Sequence, residues 1–423
     1  MTLETNAIKS NSKKFNLRSI SYLIACFAVL YYPHTVFGGI LIDGKTMIQI
    51  LLFASFFLYA FSRFASNERL LDPSPISKPL AAAVILVFIT VFFAQNKPLA
   101  LEAFLFLLAY LGCFYIFLSL FNQEKNQVIL VYGICGITLF LCLRGLVEFH
   151  LWNQKLDHFF RLRATFGNSN LMAGWLVMTI PLFTGLILSR KFRRPVFILL
   201  IMALMTMIIS LFFTFARGGW IGTFTGLSFI LAFHFITKRK KKSKLIFPVT
   251  SVTLLILLFF ISSTDLVKRF STMTQQETEM AFNGRLQWAR AATEMIKTNP
   301  ITGVGPGNYA SAITTFEPPR IGRRFFAHND YLQFISETGI LLVPVLLWLI
   351  FAQFKHGISK LNNSTYQIRG ITVGALGGMV AILVYGLGDY NLHIAANIML
   401  FTVLAAIVAA PISEKKTLKN QTI

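Results

Sequence analysis

The sequence predicts an all-α integral membrane protein of about twelve transmembrane helices, with one large external loop containing short amphipathic helices. Of its 423 residues, 55% are hydrophobic and only 13% are charged. The apolar residues gather in continuous blocks of about twenty, the length a helix needs to cross a bilayer. These blocks are uniformly apolar instead of alternating. Because backbone groups in lipid must be paired within the chain, helices fit this pattern and a transmembrane barrel does not.

The expected spans cover residues 19–32, 46–61, 80–94, 99–121, 128–149, 171–188, 196–215, 220–236, 245–262, 340–354, 370–387 and 392–410. They divide the chain into nine helices with short loops (1–261), a large external loop with the candidate chemistry (262–339), and three helices with a tail (340–423). The first block follows a basic tail with no small-residue cleavage site after it, so it is read as a retained helix instead of a removed signal.

The formal net charge is +22, which in a soluble chain would point to nucleic acid, but the placement of the charges argues otherwise. Arg63, Arg69, Lys78, the Lys238 to Lys244 run, Lys355, Lys360, Arg369, Lys415 and Lys416 all fall on one side of the expected helices. This is the positive-inside pattern. With an even number of spans it predicts cytoplasmic N- and C-termini and no nucleic-acid partner. Cys26, Cys113, Cys135 and Cys142 sit in apolar blocks without metal-type spacing and are read as packing residues.

The polar residues collect on the expected external face. Arg217, in Phe-Ala-Arg-Gly-Gly-Trp, borders two apolar spans, where a guanidinium is costly unless it has a partner, a ligand or a route to the interface. In the large loop, Asn283-Gly284 signals a turn, and 285–298 has Leu286, Ala289, Met295 and Ile296 at helical spacing. Arg285 would then lie in a first helical turn, where the dipole disfavours a cation, and that placement suggests function. The run from Gly303 to Asn308 is glycine-rich but lacks a P-loop ending, so it reads first as a tight turn and second as a backbone contact to an anion. In His328-Asn329-Asp330, one of the first two residues should cap a helix, and His328 can accept a proton near neutral pH. Asp389, beside Tyr390 and near His393, suits an arginine or a sugar hydroxyl, and Arg144 and Glu148 should pair along one helix.

Together these residues resemble the O-antigen ligase and polymerase family of bacterial membrane glycosyltransferases. The likeness rests on the Arg217-Gly218 junction, on Arg285 to Trp288 followed by Asn299-Pro300 and Gly303-Val304-Gly305, and on His328-Asn329 with Gly339 beyond. The layout of spans and loop extends it over nearly the whole chain. One departure stands out. The ligase motif continues to Gly, Thr or Tyr three positions after its last glycine, whereas Leu342 stands here, which weakens ligase, still the first reading, against its alternative, polymerase.

The resemblance implies transfer of a glycan from undecaprenyl pyrophosphate to an acceptor hydroxyl on the periplasmic face of the bacterial inner membrane. The acceptor would be lipid A-core in a ligase or a growing polysaccharide in a polymerase. The resemblance also implies catalytic roles for His328, Arg217 and Arg285. His328 would take or orient the acceptor proton, and the arginines would meet the charge developing on the leaving pyrophosphate. Arg323, Arg324, Asn329 and Asp389 are the expected substrate-binding residues, with membrane lipids around the bundle. No metal and no cofactor is called for, because arginines can neutralise the pyrophosphate. A protein O-glycosyltransferase is disfavoured by the short C-terminal region. A solute transporter is disfavoured by the scarcity of charge at mid-span and the lack of a visible repeat.

Overall fold

The computed structural model describes residues 17–34, 42–155, 160–188, 192–236, 275–316 and 326–411. Its elements are helical, with no strand among the described residues. Among the described residues, eight α-helices precede the large polar segment: α1 (Leu17–Tyr31), α2 (Ile42–Ala65), α3 (Ser77–Phe92), α4 (Lys97–Leu120), α5 (Glu124–Lys155), α6 (Ser169–Leu188), α7 (Arg194–Phe213) and α8 (Arg217–Ile236). The polar segment holds α9 (Gln275–Thr298), α10 (Tyr309–Phe316) and α11 (Asp330–Thr338), and the chain continues through α12 (Leu342–Asn363), α13 (Tyr366–Tyr385) and α14 (Ala395–Ala409).

Each apolar block within the described residues became one helix. Among those residues, seven helices are long and apolar enough to cross a membrane, and α1, α3 and α14 are shorter apolar helices. The expected ninth span, the Lys238 to Lys244 run, Arg320, Arg323, Arg324 and both chain ends lie outside the described residues. Helix starts follow local chemistry. The Asn96 side chain accepts from Leu99 N ahead of α4, and Thr365 does the same for Ile368 N ahead of α13.

The bundle is organised around α6, almost wholly buried, and α13, which packs against both α6 and α8. Glycines permit this. A Cβ on Gly226 of α8 would collide with the Gly377 carbonyl of α13, and one on Gly222 would lie 2.5 Å from the Ala381 carbonyl. On the other side of α13, a Cβ on Gly374 would lie 2.8 Å from the Pro181 carbonyl of α6. Small residues that bring backbones together are what holds helices in lipid, where apolar side chains gain little by leaving one apolar medium for another.

Two expectations for the polar segment are corrected. Asn283-Gly284 does not turn the chain, because α9 starts at Gln275 and runs through it. Gly284 serves packing instead, since a Cβ there would press on the Trp288 ring at 3.3 Å. Arg285 is therefore not in a first turn, and the dipole argument for it lapses. The buried face is also displaced. Leu286 is 41% exposed, while Trp288, Ala291, Ala292 and Met295 face a small core with Val304, Tyr309 and Ile313. Their spacing of three and four keeps the helical period, with the large indole setting its phase.

Alanine substitutions test the glycine packing directly. Gly226→Ala should lower the thermal unfolding midpoint in detergent, with a cost of about 1–3 kcal/mol for forcing a methyl into a filled contact. Gly136→Ala on α5, where a Cβ meets nothing within 4 Å, should leave the midpoint unchanged or raise it.

Candidate active site

Four separated segments meet at one end of α8 and α13: the loop from Phe160 into α6, the turn between α7 and α8, the stretch from α9 to α11, and the loop between α13 and α14. The first two are tied together by backbone. Leu162 N donates to Phe213 O at 2.9 Å, and Arg161 Nε donates to Thr214 O at 2.8 Å. The same arginine gives Nη2 to Asn170 Oδ1 at 2.9 Å. Arg217 opens α8 from this turn with its side chain exposed. Behind it, a Cβ on Gly218 would lie 2.9 Å from the Tyr385 ring, so glycine sets Arg217 close to the end of α13.

The motif around His328 is anchored residue by residue to the loop after α13. Asn329 caps α11, accepting from Tyr331 N and Leu332 N at 3.0 Å each, and donates Nδ2 to Leu387 O at 3.0 Å. Asp330 N donates to Gly386 O at 2.9 Å and to Asp389 O at 3.0 Å. The Asp330 carboxylate accepts from Leu392 N and from His393 Nδ1 at 2.7 Å. Tyr331 Oη donates to Leu383 O at 2.6 Å. Asn329, Asp330 and Tyr331 are thus engaged in holding the loop, and the His328 ring is left to face the site.

That ring is stacked on Trp288 at 4.5 Å between centroids and meets Tyr390 edge-on at 4.6 Å. Its Nδ1 has no hydrogen-bond partner and lies 3.5 Å from Asp389 Oδ1, a side chain only 2% exposed. A closure of roughly half an ångström would make a hydrogen bond of ordinary length. Asp389 also accepts from Tyr390 N at 2.9 Å and from Tyr385 Oη at 3.3 Å, and Tyr385 Oη points equally to Asn170 O at 3.2 Å. The aromatic walls and Asp389 define both the plane and the edge of the imidazole, as an oriented general base requires.

The cations converge on the same place. Arg161 is largely buried, which pulls its guanidinium below the ordinary arginine value. Tyr385 and Asp389 push the other way, and Arg285 and Arg217 depress it further. Both Arg217 and Arg285, exposed themselves, are therefore close enough for their charge to be felt at Arg161. Asp389 also acts on Arg161.

The backbone around the site is strained. His328 (φ +52°), Phe215 (φ +52°), two residues before Arg217, and Ala164 (φ +46°), in the Arg161 loop, occupy the left-handed region without being glycine. Such residues cost about 1 kcal/mol or more each and persist where surrounding contacts hold them, often at functional sites.

The glycine run from Gly303 is a tight turn, with positive φ at Gly303, Gly305 and Gly307. Its amides are already spent. Val304 N donates to Ser336 O, Gly305 N to Glu337 O, and Gly307 N to Glu337 Oε2 at 2.8 Å. The turn braces α11 and offers no cradle for an anion, correcting the second reading of that run. Gly339 (φ +82°) lets α11 end against the Ile301 carbonyl, where a Cβ would collide. Arg144 pairs with Glu148 at 2.8 Å as its spacing indicates. No grouping of His, Cys, Asp or Glu able to hold a metal occurs among the described residues.

Sequence reasoning missed Arg161, Trp288 as an aromatic wall, Tyr385, and the buried Asp330–His393 pair. Asp330, His393 and Trp288 were visible singly, but their pairing and stacking join segments far apart in the chain.

The fold and site define a multi-pass helical membrane protein that gathers arginines and an aspartate-facing histidine at the ends of its helices. Residues 202–347 match the family model described as O-antigen ligase, which bears out the resemblance drawn from the motifs. No curated protein matches the chain. The matched region contains Arg217, Arg285 and His328, whereas Arg161, Tyr385 and Asp389 lie outside it and join the site through the fold.

The Asp330–His393 pair carries a pH dependence. Burial raises the Asp330 carboxyl above its ordinary range, more than its bond to His393 lowers it. Burial pulls His393 down, but the hydrogen bond and charge of Asp330, with Glu337, outweigh this and leave it above 6.5. Both shifts mean that the folded chain binds protons more tightly than the unfolded one, so stability falls as pH rises above each group's ordinary value. Unfolding midpoints from pH 6 to 9 should decline on the alkaline side. Asp330→Asn should flatten that decline and, by breaking a buried pair, cost about 3–5 kcal/mol.

Proposed function

We propose that this protein transfers a glycan from undecaprenyl pyrophosphate to an acceptor hydroxyl at the external face of the bacterial inner membrane, as an O-antigen ligase or polymerase. The observation that carries this reading is Asp389, whose carboxylate lies 3.5 Å from His328 Nδ1 and acts, together with Arg217 and Arg285, on the guanidinium of Arg161. A base beside a cluster of fixed cations suits displacement of a diphosphate by a hydroxyl.

In this mechanism the acceptor oxygen attacks the anomeric carbon as its proton passes to His328 Nε2. The bond from that carbon to the phosphate oxygen breaks, and its electron pair stays on the diphosphate. Arg217 and Arg285 stabilise that charge as it develops, in a site partly screened from water. Asp389 orients the imidazole and stabilises the imidazolium, while the apolar helices accommodate the polyprenyl tail. Cations supply the neutralisation, so the reading needs neither metal nor cofactor. Arg323 and Arg324 are further candidates for the same diphosphate charge.

The polymerase reading takes support from Leu342, where ligases carry Gly, Thr or Tyr. Leu342 is 4% exposed and packs with Ala83, Val87 and Phe104 of α3 and α4, so this position serves helix packing here.

Purified full-length protein should transfer glycan from undecaprenyl pyrophosphate without added metal. A single-step shift that needs lipid A-core identifies a ligase, and a ladder formed without it identifies a polymerase. His328→Ala should lower the rate by roughly a hundredfold or more while the protein stays folded, and normal turnover by that variant would contradict the mechanism. Arg217→Lys should also fail, because lysine keeps the charge but loses the fork that grips two phosphate oxygens.

A further inference from the structure

Arg161 belongs to neither the motif nor the matched family region, yet it is more enclosed than Arg217 or Arg285. Two of its N–H groups are committed, Nε to Thr214 O at 2.8 Å and Nη2 to Asn170 Oδ1 at 2.9 Å. A guanidinium carries five N–H donors, so three are not used in these bonds. The two bonds fix its plane before any ligand arrives. A structural strut alone would not call for this residue. Leu162 N already clasps the turn at Phe213 O, and a neutral amide would bridge the same acceptors without burying a charge.

The charges around it are unbalanced. Arg217, Arg285 and Asp389 all act on the Arg161 guanidinium, and among the described residues Asp389 is the one carboxylate that does so. Among these described groups cations outnumber the carboxylate by two, and a glycan-linked lipid diphosphate, as a diester, carries about two negative charges. Resting on the function proposed above, we propose that Arg161 is a third diphosphate-binding side chain, held ready by Thr214 and Asn170 to grip the leaving group opposite Arg217 and Arg285. Because its geometry is set in advance, it contributes to binding of donor as well as of transition state, and its loss falls chiefly on KM.

The test uses full-length protein in lipid nanodiscs with inorganic pyrophosphate as the probe, followed by calorimetric titration and by the shift in thermal midpoint. Arg161→Gln should bind pyrophosphate about tenfold or more weakly, raise the donor KM by a similar factor, and change kcat by much less. Arg161→Lys should remain folded and fall between the two. Pyrophosphate binding by Arg161→Gln equal to wild type would overturn the proposal. Failure of both replacements to fold would make Arg161 a strut and overturn it too. Wild-type protein that binds no pyrophosphate would instead refute the anion site itself, and with it the glycosyl-transfer reading.

Discussion

The close contact of α13 with α6 and α8 is the constraint on which the rest depends. Backbones approach within contact distance at Gly222, Gly226 and Gly374, and this brings the ends of three helices to one place. Arg217 begins α8, Tyr385 ends α13, and Asn170 lies in the first turn of α6. Tyr385 then joins Asn170 to Asp389 through its hydroxyl, and Asp389 faces His328. Were the helices held apart by ordinary side chains, the guanidinium of Arg217 and the carboxylate of Asp389 would belong to different surfaces.

Electrostatics explains why this arrangement is tolerated. Gathering arginines in a partly desolvated corner is unfavourable, and the depressed Arg161 shows that cost. Asp389 offsets part of it, and hydrogen bonds to Thr214 and Asn170 offset more. On the proposal made above, what is left over is an affinity for a doubly charged anion. The strained backbone at His328, Phe215 and Ala164 fits the same picture, in which surrounding contacts hold residues where they would not settle alone.

Much of this was legible in the sequence because lipid imposes a simple rule. Uninterrupted apolar blocks had to become helices, and each block among the described residues did. Arg217 and His328 stood out as costly or titratable residues near expected interfaces, and the cap was narrowed to His328 or Asn329, whereas the dipole argument that singled out Arg285 fails because its helix starts at Gln275. Other features depend on relations between distant segments. Nothing around Tyr385 says that its hydroxyl reaches both α6 and Asp389, and Arg161 has no local pattern until Thr214 and Asn170 surround it. The Asn283-Gly284 pair misled because a turn dipeptide was used for packing on Trp288, and Leu286 because the indole, not the leucine, set which face of α9 is buried.

The central claim is that His328 and Asp389, separated by sixty residues of chain, act as one unit. A double-mutant cycle with His328→Ala and Asp389→Asn, read as kcat/KM for transfer from undecaprenyl-pyrophosphate glycan, tests it most directly. The account predicts strong non-additivity, with Asp389→Asn harmful when His328 is present and nearly silent once it is gone. Losses that simply multiply would show the two residues acting independently and would contradict it.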